Sequence, residues 1–277
     1  MRAPSRSFLA RSIALGGVIL FWIVLLWLML FVGLPLMDSI LLAVILAAAP
    51  TFSLAQVPLI EGAVIARLPA YWGSIVTLWL LGTACWLVGT RVEGPAAVGL
   101  GAIPIGPLIG WSVGLVSAGM LTIVVFRQIA VWAGVRESGL LRQLLPRTGE
   151  ERRVFALLSV AAGTGEELAY RGYSIPVLAP ILGVPGAVML TTVVFGVLHG
   201  YQGWLGIFRT AIMGGILACG FLASGSLWPP MIAHTAIDLL AGIVFGERLL
   251  SPEGLNGVDH SGTLRLNEAE QTEWKSI

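Results

Sequence analysis

The chain has 277 residues, 57% of them hydrophobic and 11% charged, with a formal net charge of +1 and a mean hydropathy of +0.90. Ordinary soluble domains carry about a quarter charged residues, so the composition excludes a soluble globular enzyme and describes an integral membrane protein. No basic patch with interleaved aromatics exists, which argues against nucleic-acid binding. The two cysteines, Cys85 and Cys219, are isolated in apolar stretches and read as small packed hydrophobes.

A span takes about 20 mostly apolar residues. In chain order the candidates are 13–34, 37–60, 70–90, 108–126, 154–172, 184–200, 204–222 and 228–246. The expected fold is all-α, a polytopic membrane helical bundle of about eight transmembrane helices. Counts of seven to nine stay open, because the Gly- and Pro-broken stretches 96–110 and 173–183 also read as re-entrant pieces. The apolar run from Ile13 to Leu36 exceeds the 7 to 15 residues of a cleavable signal core, so it reads as a retained anchor.

The expected organisation is an N-terminal helical group over 1–126, an arginine-rich loop over 127–153, a second helical group over 154–249 and a polar tail over 250–277. No repeat at a fixed period links the two groups. Arg2, Arg6 and Arg11 place the N-terminus inside by the positive-inside rule. The loop with Arg127, Arg136, Arg142, Arg147, Arg152 and Arg153 falls on the same side four spans later. With eight spans the C-terminal tail is cytoplasmic too, and the plasma (inner) membrane is the expected location.

From Val154 to Gly246 the charged residues are Glu166, Glu167, Arg171, Arg209 and Asp238, joined by His199 and His234. A charge at the bilayer centre costs about 2.5 to 3.5 kcal/mol on insertion scales, so each needs a reason. Three patterns hold most of them: E-E-L-A-Y-R at 166–171, F-G-V-L-H at 195–199 and H-T-A-I-D at 234–238. Helix residues four apart share a face, so Glu167 pairs with Arg171 as a structural clamp. Glu166 is turned about 100° away and remains available as a general base. Phe195 lies beside His199 and restricts its rotamer, and Asp238 accepts the imidazole N–H of His234 and fixes its tautomer. His260, in the polar tail, reads as solvated.

These three patterns resemble the CPBP family of intramembrane endopeptidases, which includes the CAAX prenyl-protein proteases and relatives linked to bacteriocin processing and self-immunity. That family runs E-E-x-x-x-R, F-x-x-x-H and H-x-x-x-N or D in this order. The resemblance covers roughly 150–246 and makes 154–249 a CPBP-like catalytic transmembrane domain. It implies an endopeptidase acting on a membrane-associated or lipidated protein or peptide near the bilayer.

The implied catalytic residues are Glu166, His199, His234 and Asp238, supported by Glu167, Arg171 and Phe195. No serine elbow, phosphate loop, H-E-x-x-H helix or aspartyl pair is present to support another protease class or ATP-dependent chemistry. In the favoured scheme Glu166 with His199 deprotonates water, His234 stabilises the oxyanion and no cofactor is required. The alternative places Zn²⁺ on Glu166, His199 and His234 with one position open for water.

The third pattern ends in Asp238, where the CAAX proteases of eukaryotes carry Asn. An ionised carboxylate cannot donate a hydrogen bond to an oxyanion, so peptide hydrolysis transfers better than a prenylated substrate. The competing reading is a non-enzymatic polytopic protein, either a transporter or an immunity or scaffold factor. A carrier would favour broken helices in both halves, whereas the ionisable cluster sits in one. The oligomeric state is not legible.

Overall fold

The computed structural model describes residues 5–60, 63–135 and 138–249. The tail with His260 lies outside the described residues, as do Arg2 and Arg136. Among the described residues all regular structure is helical, and seven stretches are long and apolar enough to cross a membrane. The protein is an all-α polytopic membrane bundle.

The first span is α1 (Arg6–Trp27), capped by the Ser5 hydroxyl at the Phe8 amide and prolonged by a π-helical turn, Leu28–Val32. Gly33, at φ 77°, ends it. The second joins α2 (Leu36–Ala43) and α3 (Ala49–Ile60) through another π-helical turn, Val44–Ala48. Next come α4 (Arg67–Gly89) and α5 (Ile105–Trp132). The helix runs through Arg127, so the arginine-rich connection narrows to 133–148 and contains the short α6 (Gly139–Gln143).

A capping box between Thr148 and Glu151 starts α7 (Gly149–Glu167), satisfying amides that the first helical turn leaves free. It continues as a π-helical stretch, Leu168–Ser174, and then as α8 (Ile175–Leu198). The last spans are α9 (Gly203–Ser224) and α10 (Trp228–Leu239), the latter extended by π-helical Leu240–Phe245.

The bundle has two distinct ends. At one, the 133–148 connection is pinned to α4, with Arg67 Nε donating to the Gln143 carbonyl and Tyr71 to the Leu144 carbonyl, both at 2.6 Å. Ser138 there donates to the Tyr201 carbonyl at 2.7 Å. This is the basic end. At the other, the Leu227 amide donates to the Gly99 carbonyl at 2.8 Å.

The stretch Gly149–Leu198 is 50 residues long, yet both of its termini lie at the basic end. Glu151 pairs there with Arg67 at 3.5 Å, and the Leu198 carbonyl accepts from Ser53 of α3 at 2.6 Å. It therefore runs out and back. The break is Gly183, at φ 70° and ψ 160°, between Pro180 and Pro185. Read as two crossings, this stretch brings the seven helical stretches to eight passes.

Lipid tails are as apolar as Leu, so association rests on close packing rather than on hydrophobic burial. Leu30, Leu80, Leu121 and Met189 are exposed, as a lipid-facing surface requires. Inside, α7 lies against α4 and α10. A Cβ on Gly165 would come 2.5 Å from the Leu78 carbonyl oxygen, and one on Gly163 would come 2.9 Å from the Met231 carbonyl oxygen. Two glycines thus let backbones meet on either side of the helix that carries Glu166 and Glu167.

Candidate active site

Each of the three motifs lies on its own helix, and Phe195 joins them. Arg171 and Phe195 each stand twelve residues from Gly183, so the two legs of the reversal bring them level. The guanidinium lies over the Phe195 ring, 4.5 Å from its centroid. The same ring packs on His199 at 4.8 Å, Tyr170 at 5.1 Å and His234 at 6.1 Å between centroids. An aromatic hub thereby gathers both histidines and the acid-bearing helix at one place.

Glu167 is fully buried, and its Oε1 accepts from Arg171 Nη1 at 2.7 Å. The same oxygen lies 2.8 Å from His234 Nδ1. Arg171 also donates through Nη2 to the Gly214 carbonyl at 2.9 Å. A Cβ on Gly214 would meet both Arg171 Nη2 and Phe195 Cδ1 at 3.0 Å, so any larger residue there presses on the clamp and its aromatic neighbour.

His234 is therefore oriented by Glu167. Sequence spacing assigned that role to Asp238, but its Oδ2 stays 3.8 Å away, on the Nε2 side. From one turn along the same helix, Asp238 reaches the far edge of the ring, and Glu167 of the neighbouring helix already occupies the near edge. A carboxylate accepts, so His234 Nδ1 carries the proton it donates. Its Nε2 faces Glu166 Oε2 at 3.7 Å.

Glu166 is 7% exposed, and its Oε2 has no hydrogen-bond partner. Buried polar atoms are nearly always hydrogen-bonded, and Glu167 Oε2 is likewise left without a partner, so both acids keep an open oxygen beside the imidazole and only Glu167 is also clamped by Arg171. His199 Nδ1 lies 2.8 Å from the Phe195 carbonyl. A carbonyl only accepts, so Nδ1 is the donor and, in the neutral ring, Nε2 keeps its lone pair.

Burial falls toward the basic end. His234 is buried, whereas the Asp238 side chain, one turn closer to that end, is 36% exposed. His199 is half-buried, and its ring lies 6.0 Å from that of Tyr201, whose backbone is tied to the 133–148 connection. Tyr201 and Tyr170 were not singled out by sequence spacing, although one lies two residues after His199 and the other inside E-E-L-A-Y-R. Arg209 is buried on α9 and donates to Gln202 Oε1 at 2.9 Å.

Among the described residues no group of three or more His, Cys, Asp or Glu side chains has metal-holding geometry. Glu166, His199 and His234 do not form such a group in this arrangement. Of the cysteines, Cys85 is buried and Cys219 exposed.

Residues 149–240 match a family model described as Type II CAAX prenyl endopeptidase Rce1-like. The match supports the CPBP resemblance of this segment. The matched segment contains all three motifs and leaves residues 1–148 outside the match. No curated protein and no solved structure matches the chain.

Proposed function

We propose that the protein is an intramembrane endopeptidase that hydrolyses a peptide bond of a membrane-associated or lipidated protein or peptide. The observation that carries this reading is the division of labour between adjacent glutamates. Glu167 spends one oxygen, Oε1, on both Arg171 and His234 and leaves Oε2 unpartnered, while Glu166, with no such clamp, holds a buried, unpartnered Oε2 3.7 Å from His234 Nε2. The family match over the same residues supports it.

In this mechanism water lies between Glu166 and His199 and donates one hydrogen bond to the lone pair on His199 Nε2. Glu166 takes a proton as the water oxygen adds to the scissile carbonyl carbon. Protonated His234 donates from Nε2 to the oxyanion, held in aim by Glu167. Collapse of the tetrahedral intermediate breaks the C–N bond, and Glu166 returns its proton to the departing amine. Asp238, at the exposed mouth, bears electrostatically on His234 and is available to an incoming chain. The residues we assign as catalytic are Glu166, His199 and His234, with Asp238 beside them at the mouth and Glu167, Arg171 and Phe195 holding them.

The basic end is the cytoplasmic one under the positive-inside rule, with both termini inside and the plasma (inner) membrane as location. The burial gradient then has substrate approach from the cytoplasmic side. Whether that substrate is prenylated, as the matched family's description would have it, is a separate question from hydrolysis. One experiment addresses both. Protein termini are compared across native cells carrying the wild-type chain or Glu166→Gln at matched levels. Termini that vanish in the variant establish proteolysis and reveal the lipidation of the substrates. Identical termini overturn the reading in favour of a non-enzymatic transporter, immunity or scaffold protein.

A further inference from the structure

A second buried charge lies outside the family segment. Asp38, in the first turn of α2, is 3% exposed. Its carboxylate accepts from Arg91 Nη1 at 3.1 Å and pairs with Arg91 Nη2, just beyond the end of α4. It also accepts the phenol O–H of Tyr173, 3.0 Å from Oδ1, which lies 3.4 Å from the Asp38 carbonyl oxygen as well. Tyr173 is 1% exposed and belongs to the π-helical stretch Leu168–Ser174.

Arg91 alone neutralises Asp38, so the phenol is not needed to bury the charge. What the phenol adds is a tie between the first half of the chain and the stretch that carries Arg171. That stretch has the π-helical pattern found as single turns at functional sites, where the backbone ladder is looser than in an α-helix. From Arg171, two residues before Tyr173, the contacts run without a gap through Glu167 Oε1 to His234 Nδ1. A movement of the π-helical stretch therefore reaches the imidazole through two short bonds.

We propose that Tyr173 and Asp38 are positioning residues for the peptidase site: their hydrogen bond fixes the π-helical stretch, and through Arg171 and Glu167 it sets the aim of His234. This rests on the peptidase reading for its consequence in turnover. The geometric part stands without it.

The chain has three histidines, which makes a ¹⁵N-histidine spectrum in lipid bilayers assignable by His199→Gln and His260→Gln. Tyr173→Phe and Asp38→Ala each remove the tie. Both are expected to shift the His234 ring resonances in the same direction and to leave His260 unmoved. Asp38→Asn keeps an accepting oxygen for the phenol while losing the charge, and it is expected to retain the wild-type His234 signals. In cells, cleavage at the termini lost in Glu166→Gln should fall between about 10- and 100-fold for the first two variants, the size expected when a catalytic group is displaced by about 1 Å.

Wild-type His234 resonances in either Tyr173→Phe or Asp38→Ala overturn the proposal, as does a shift in Asp38→Asn equal to that in Asp38→Ala. Should Tyr173→Phe fail to fold, the Asp38→Ala and Asp38→Asn pair decides alone. If Glu166→Gln changes no termini, the peptidase reading fails while the spectra still decide the tie.

Discussion

Arg171→Met tests the clamp most directly, because the side chain is 2% exposed and every polar contact it makes is described. Methionine keeps much of the length and removes the charge. Glu167 is then left as a buried carboxylate with His234 as its remaining partner. Breaking a buried pair by removing one member costs about 3 to 5 kcal/mol, and a desolvated cation over an aromatic ring adds about 2 kcal/mol or more. Gly214 adds less, since its carbonyl sits within a continuous helix. A loss of roughly 5 kcal/mol corresponds to a fall of about 10 to 20 °C in melting temperature for a chain of this size. Intrinsic fluorescence of the ten tryptophans during heating in micelles reads it. Adding Glu167→Gln to Arg171→Met neutralises the stranded acid and leaves an oxygen to accept from His234. The double variant should therefore recover about 1 to 3 kcal/mol of the loss. Melting of Arg171→Met within 2 °C of wild type, or a double variant less stable than the single, would refute the clamp.

Glu166→Gln should lower cleavage by about 10² to 10⁴ with a melting temperature close to wild type, because the carboxylate oxygen replaced makes no hydrogen bond and only a long contact to His234; residual activity above a tenth would remove Glu166 as the base. Asp238→Asn should retain cleavage within about tenfold, the scale of a single hydrogen bond, since Glu167 already orients His234; a loss beyond a hundredfold would return that role to Asp238. Gly183→Ala forces a side chain into a backbone region that is essentially glycine-only and should cost about 1 to 3 kcal/mol, read as an earlier melt; wild-type melting would mean the reversal does not depend on that conformation. Purified protein stripped by chelator should keep its cleavage activity and contain metal well below one ion per chain; activity that follows restored zinc would revive the metal alternative.

The pairing within each motif was legible because helical periodicity alone decides it. Glu167 with Arg171 and Phe195 with His199 follow from spacing, and the structure contains both contacts. The same spacing misassigned His234. Asp238 is four residues away, but Glu167 comes from another helix and reaches the ring nitrogen first. Cross-helix geometry depends on where the chain reverses, and one glycine between two prolines in an apolar run does not announce itself as that point. The tie from Tyr173 to Asp38 escaped for a related reason. An acid just inside one span and an arginine just beyond another look like boundary charges until the two ends are seen to meet. The arginine-rich connection was visible, though helical propensity carried α5 through Arg127 and shortened it.

The close approach of Gly165 to α4 bears on how such a protein is divided in inheritance. The family match begins at residue 149, the outline of a portable cassette. Yet a Cβ on Gly82, within the unmatched half, would stand 2.8 Å from the Gly165 Cα. The helix with the acids is thus moulded against a partner that lies outside the cassette. Transplanted alone, the matched segment would lose the surface against which its own glycines were fitted, so the two halves can change only in step.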